Sequence, residues 1–147
     1  MSDEQSTNLS GFVDSNIWIY ALTHSQTGAE DIKGRRAQEL ILSARHSMSA
    51  QVVAEVCANL LRKSIATESE VVELIDDFYQ EHTVLPVNQH IFRESCSLRT
   101  RYSFSFWDSL IVAAALQSGA QILYTEDMQH GLVVDERLRI VNPFHQE

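Results

Sequence analysis

A chain of 147 residues, 44% of them hydrophobic, has the length of one domain and enough apolar content to bury a core. Its longest apolar run, Leu110 to Leu116, is far short of the roughly 18 to 20 residues that cross a bilayer, and the stretch Met1 to Asn8 has neither the basic nor the apolar region of a signal peptide, so a cytoplasmic protein without a membrane span is expected. Twenty acidic against eleven basic residues give a formal charge of −9, which runs against binding nucleic acid by phosphate neutralisation unless a divalent cation cancels carboxylate charge locally or the basic residues gather on one face.

Short apolar segments alternate with segments of helical period, the pattern of an α/β fold with a parallel sheet. Residues 1–10 read as a flexible tail and 11–147 as a single domain. Gly11 to Val13 is the first expected strand, and Asn16 to Leu22 a helix behind a polar cap. A helix from about Glu30 to Ala44 follows, then a strand over His46 to Ser49 and a helix over Gln51 to Lys63. Thr67 and Glu70 have capping-box spacing for a helix reaching Glu81, and Thr83 to Leu85 is a strand stopped by Pro86. Asn88 caps a helix to about Tyr102. Ser105 caps the most apolar helix, Phe106 to Leu116, whose only charge is Asp108 and which must be buried all round before Gly119 ends it. Gln121 to Tyr124 and Arg139 to Val141 complete a count of five strands and six helices. Cys57 and Cys96 have no disulfide or zinc spacing and are expected as small reduced core residues.

Functional groups in an open parallel sheet collect at the carboxyl ends of the strands, and Asp14 and Asp127 lie just beyond two such ends. Asp14 also reads as the cap of the Asn16 helix, and Asp127 as an ordinary loop acid. Asp108, three residues after Ser105, has the position of a capping-box acid, yet its helix carries it towards the interior, where an unpaired charge is costly without a cation. Glu55 projects onto a polar stripe with Gln51, Asn59 and Arg62, which suits a solvated face. Together the four acids come from four separate elements and supply the hard oxygen donors that Mg²⁺ and Mn²⁺ prefer.

The run Phe12-Val13-Asp14-Ser15-Asn16, the segment Ser49 to Glu55, the segment Ser105-Phe106-Trp107-Asp108 with Leu110 to Ala115, the segment Leu123 to Gly131 and the ending Ile140 to Phe144 carry a family likeness. The chain resembles the PIN-domain nucleases, in particular bacterial proteins of the VapC toxin type. The resemblance implies a three-layer α/β/α sandwich with a five-stranded parallel sheet of order 3-2-1-4-5. It also implies a Mg²⁺- or Mn²⁺-dependent endoribonuclease acting on RNA, a cognate antitoxin of a type II toxin–antitoxin pair, and a homodimer. Asp14, Glu55, Asp108 and Asp127 match the family's four acidic positions.

On that reading Asp14, Asp108 and Asp127 ligate metal directly, Glu55 binds a second metal or orients water, and Asn16 and Thr125 are hydrogen-bond donors behind them. Lys33, Arg35 and Arg36 at one helix start, and Arg99 and Arg101 ahead of Asp108, are candidate RNA contacts, although basic residues of this kind also serve as ordinary solvated charge. The six histidines have no paired metal spacing, and neither a nucleophile elbow nor a phosphate-binding Gly-Lys loop occurs. A catalytically silent PIN module binding a protein or RNA partner is the alternative.

Overall fold

The computed structural model describes residues 10–24 and 31–146. The expected tail falls outside the described residues except for Ser10, as does the Glu30 start of the second helix. Within them lie six helices and six strands, the strands forming one sheet: β1 (Phe12–Val13), α1 (Ser15–Leu22), α2 (Ile32–Leu42), β2 (Ser47–Ser49), α3 (Ala50–Arg62), α4 (Glu68–Glu81), β3 (Thr83–Leu85), α5 (Gln89–Arg101), α6 (Phe106–Ser118), β4 (Ile122–Tyr124), β5 (Val133–Val134) and β6 (Leu138–Val141).

Strand order is β3-β2-β1-β4-β6-β5. The first five are parallel, with Phe12 opposite both Ser47 and Leu123, and Leu123 opposite Ile140. This is the expected 3-2-1-4-5 order with one addition. The expected count of five strands is corrected by β5, which pairs antiparallel with β6 through Val133 to Arg139 and Val134 to Leu138. Asp135 and Glu136 turn between them at φ 51° and 58°, closed by Arg137 N–H donating to the Val134 carbonyl at 3.0 Å. Two positive φ values at the centre of a tight turn match the twist of a hairpin, but the usual Asn-Gly or Asp-Gly signature is absent.

Successive strand residues point to opposite faces, and Phe12 and Val13 are both fully buried, so helices cover the sheet on both sides as an α/β/α sandwich. Helix α6 is buried from Ser109 to Leu116 without a break, as its composition requires. Its Ser105 cap accepts the Asp108 N–H, and Gly119 closes it at φ 80°, a left-handed conformation that costs glycine nothing. The capping box at Thr67 and Glu70 is complete in both directions, and Asn88 caps α5. Gly11 sits so close to β4 that an added Cβ would stand 2.8 Å from the Ile122 carbonyl and the Tyr124 ring. Both cysteines are free; Cys57 is half-buried, but Cys96 is exposed on α5 rather than in the core. Among the described residues no helix is long and apolar enough to cross a membrane.

Candidate active site

The carboxyl ends of β1, β4 and β6 are tied side by side, with Asp14 N–H donating to the Tyr124 carbonyl at 3.0 Å and Thr125 N–H to the Val141 carbonyl at 3.0 Å. Asp14 leaves β1 with extended backbone, caps α1 and is only 5% exposed. One carboxylate oxygen accepts the Ser15 N–H at 2.7 Å and the other the Thr125 hydroxyl at 2.8 Å. The capping geometry is therefore present without consuming the whole group.

Glu55 lies on α3, where Ser15 Oγ donates to one of its oxygens at 2.9 Å and Gln51 Nε2 to the other at 3.2 Å. Asp127 is exposed in the loop after β4, held by Asn16 Nδ2 at 2.9 Å, while Thr125 Oγ1 accepts its N–H at 3.2 Å. Asn16 also accepts the Glu126 N–H at 3.3 Å. A chain of hydrogen bonds thus runs from Gln51 through Glu55, Ser15, Asp14 and Thr125 to Asp127, with Asn16 bracing its far end. Asp108, half-buried in the first turn of α6, lines a cleft of about 390 Å³ together with Asp127, Arg101, Tyr102, Met128 and Gln129.

Burial above all pushes the Asp14 carboxyl up to about 6, and the charges of Glu55 and Asp108 add to that rise against the lowering effect of Thr125 and Ser15. Asp108 is likewise held above the usual carboxylate range by burial first, then by Asp127 and Glu55, with Ser105 opposing. Charge thus links the set through two members: Glu55 and Asp108 act on Asp14, and Asp127 and Glu55 act on Asp108. Among the described residues, however, no three His, Cys, Asp or Glu side chains stand together in an arrangement able to hold a metal ion.

A model of the PIN domain family matches residues 11–133. The chain belongs to the PIN domain family. The PIN fold is similar to that of a toxin–antitoxin complex from Klebsiella pneumoniae, at 18% identity and TM-score 0.65 over 93% of this chain and 100% of that one. It is also similar to Mycobacterium tuberculosis VapC20, described as a Sarcin-Ricin loop cleaving toxin, at 20% identity and TM-score 0.59 over 76% of this chain and 85% of that one. A third likeness is to VapBC2 from Rickettsia felis bound to a DNA fragment from its promoter, at 17% identity and TM-score 0.59 over 89% and 98%. At such identities the likeness is one of fold. No curated protein matches the sequence.

The basic candidates of this PIN domain are spread over several places. Lys33 is ion-paired with Glu126, the neighbour of Asp127, and lies 5.4 Å from the Tyr20 ring centre and 5.5 Å from that of Phe144. Arg35 and Arg36 are exposed on α2. Arg99 is half-buried, donating to Ser95 Oγ at 3.1 Å and Ser109 Oγ at 2.7 Å, and Arg101 is ion-paired with Asp135 at the cleft. Sequence reasoning missed Ser15 and Gln51 as the two donors to Glu55. The signals for them were Ser15 beside Asp14 and the i, i+4 spacing of Gln51 and Glu55 on one helix face. The face itself departs from expectation: Gln51, Glu55 and Asn59 are half-buried and only Arg62 is exposed, so the stripe is not a solvated one.

Proposed function

We propose that this PIN domain is a metal-dependent endoribonuclease, cutting RNA phosphodiester bonds, and the toxin of a type II toxin–antitoxin pair. The observation that carries the reading is Asp14: buried, bonded on both oxygens, and subject to the like charges of Glu55 and Asp108. Hard carboxylate oxygens under mutual repulsion suit Mg²⁺ or Mn²⁺, and two unit charges 4 Å apart repel by about 4 kcal/mol at an effective dielectric near 20. Gln51 Oε1, buried and without a hydrogen-bond partner on the side chain that holds Glu55, is a further free oxygen at this site.

Asp14, Asp108 and Asp127 would hold the ion, with Glu55 taking a second ion or orienting water. When bound, the ion supplies Lewis-acid stabilisation of charge on the phosphate and activation of water at neutral pH. The chain's own part is positioning. Ser15 N–H and Thr125 hydroxyl fix the plane of the Asp14 carboxylate, Ser15 Oγ and Gln51 fix Glu55, and Asn16 fixes Asp127. Lys33, Arg35, Arg36, Arg99 and Arg101 are the basic groups that would meet the RNA backbone.

The similar fold described as a toxin–antitoxin complex supports an antitoxin partner; such a partner would present a basic side chain to the acidic cleft. A homodimer acting in the cytoplasm completes the proposal. The silent-module alternative is favoured by one observation, that no three acids stand in ligating arrangement. Calorimetric Mn²⁺ titration decides between the two. Wild type is expected to bind Mn²⁺ and to cut RNA in preference to DNA of the same sequence, while Asp14→Asn and Asp108→Asn stay folded, lose Mn²⁺ binding and cut at least about a hundredfold more slowly. A wild type that binds no Mn²⁺ leaves the silent module.

A further inference from the structure

Two aromatic side chains at the start of α6 are not explained by the core. Trp107 is 62% exposed and Phe106 46% exposed, and their rings meet edge to face with centres 5.1 Å apart. The other tryptophan shows what a structural role looks like: Trp18 is 2% exposed and its indole N–H donates to the Val13 carbonyl at 3.1 Å. No hydrogen bond among the described residues holds the Trp107 indole.

The pair is fixed from behind. Ser109 Oγ donates to the Phe106 carbonyl at 2.6 Å, and the Arg99 guanidinium lies 4.8 Å from the centre of the Phe106 ring. Arg99 is itself held by Ser95 and Ser109, so its charge is stationed at the Phe106 ring. The pair also adjoins the acids. Trp107 precedes Asp108 in the chain, and Gln51 Nε2, which holds Glu55, also reaches the Trp107 carbonyl at 3.5 Å.

We infer that Phe106 and Trp107 form a stacking platform for an unpaired nucleobase of the RNA cut at the adjacent acids, with Arg99 stiffening the platform by its cation–π contact. The inference rests on the nuclease reading. It also answers the charge problem: at a formal charge of −9 the chain gains little from long-range attraction to phosphate, whereas base stacking needs no net charge and tolerates any sequence. A base can reach an aromatic face only when it is out of the duplex, so the platform selects unpaired loops and bulges over continuous helix.

The test uses the full chain with Mg²⁺, a hairpin RNA with an unpaired loop, a short single-stranded oligoribonucleotide and a duplex of the same sequence. Trp107→Ala is expected to raise KM on the hairpin about tenfold to a hundredfold with kcat and the salt dependence of KM little changed, and Trp107→Phe to restore most of the loss. The oligoribonucleotide should quench wild-type tryptophan emission saturably and leave Trp107→Phe, which retains only the buried Trp18, unquenched; the duplex should quench neither. An unchanged KM in Trp107→Ala together with unchanged emission overturns the platform. A change of sedimentation size in Trp107→Ala, with RNA kinetics unaffected, overturns it in favour of a protein interface. If wild type cuts no RNA, the nuclease reading fails on its own account, and the quenching still decides whether the platform binds a base.

Discussion

The two ends of the parallel sheet treat buried titratable groups in opposite ways. At the amino end His46 is 1% exposed, yet its ring is fully employed: Nε2 donates to the Leu40 carbonyl at 2.8 Å and Nδ1 accepts the Gly11 N–H at 3.2 Å. His82 Nδ1 accepts the His46 N–H at 3.1 Å, and the Arg45 guanidinium donates to the Gln80 and His82 carbonyls. A ring nitrogen that accepts a backbone N–H must be unprotonated, and burial above all holds both imidazoles below their ordinary pKa. At the carboxyl end Asp14 receives two hydrogen bonds but no compensating charge from its neighbours. The first arrangement is complete within the chain and serves architecture, joining the starts of β1, β2 and β3. The second is electrostatically incomplete, and in the proposed reading a divalent cation would supply what is missing.

Removing the incomplete charge gives the largest expected effect. A carboxyl whose folded pKa is raised from 3.8 to about 6 contributes stability that is fully present below 3.8 and is lost as pH rises through about 6. At about 1.36 kcal/mol per pKa unit, ionised Asp14 costs the metal-free fold on the order of 3 kcal/mol at pH 8. Asp14→Asn, which keeps an acceptor for the Ser15 N–H, should therefore be the more stable protein in chelator at pH 8 by up to that amount, with the gap closing towards pH 4. Urea unfolding across that range measures it. Mn²⁺ at a hundred times its Kd should return about 2.7 kcal/mol to wild type and nothing to the variant. Parallel curves with and without Mn²⁺ would erase the distinction between the two ends.

The complete end is broken by His46→Leu, which leaves the Gly11 N–H without its partner at a cost of about 1–3 kcal/mol at pH 8, while the Leu40 carbonyl keeps its bonds from Ser43. The sign with pH is opposite to that of Asp14. A histidine whose folded pKa is depressed contributes stability that is present above 6.5 and is lost as pH falls through the lower folded value. Wild type should lose stability on this account below pH 6.5, and His46→Leu should lose less, so that the two stabilities converge in acid. A penalty independent of pH would mean that the ring contributes only volume.

What the sequence made legible follows from how local each signal is. Thr67, Asn88 and Ser105 cap helices within three residues of themselves, Gly119 ends α6 by its own φ, and an apolar run as long as Leu110 to Leu116 has nowhere to go but inside. The ends of β1 and β4 placed Asp14 and Asp127 for the same reason. Strand β5 was not legible, because two valines are too short for a period and the Asp135-Glu136 turn adopts positive φ without glycine. Nor were the partners of the charged groups. A helical projection gives the face on which Glu55 lies but not that Ser15 packs against it, and nothing near Arg101 in sequence announces Asp135, 34 residues away.

The smallest effect is expected between the two ends of the comparison, where a charge is compensated but exposed. Lys33 and Glu126 form an ion pair with side chains 48% and 22% exposed, and Tyr20 donates to the same carboxylate at 2.7 Å. Burial raises the Glu126 pKa, yet the bonds from Lys33 and Tyr20 outweigh it and leave the group below the ordinary carboxylate range. Exposed pairs contribute little, so Lys33→Met should change unfolding free energy by no more than about 0.5 kcal/mol. The pair is nonetheless one link from the acids, since the Glu126 N–H donates to Asn16, which holds Asp127. If that link positions the loop, Lys33→Met weakens Mn²⁺ binding by less than about tenfold, the lower bound for a direct outer partner of a metal ligand. Tyr20→Phe should then weaken it similarly, because it loosens the same carboxylate without removing a charge. If Lys33 instead meets phosphate, Mn²⁺ binding is unchanged in both variants, and only Lys33→Met lowers the salt slope of RNA binding by about one.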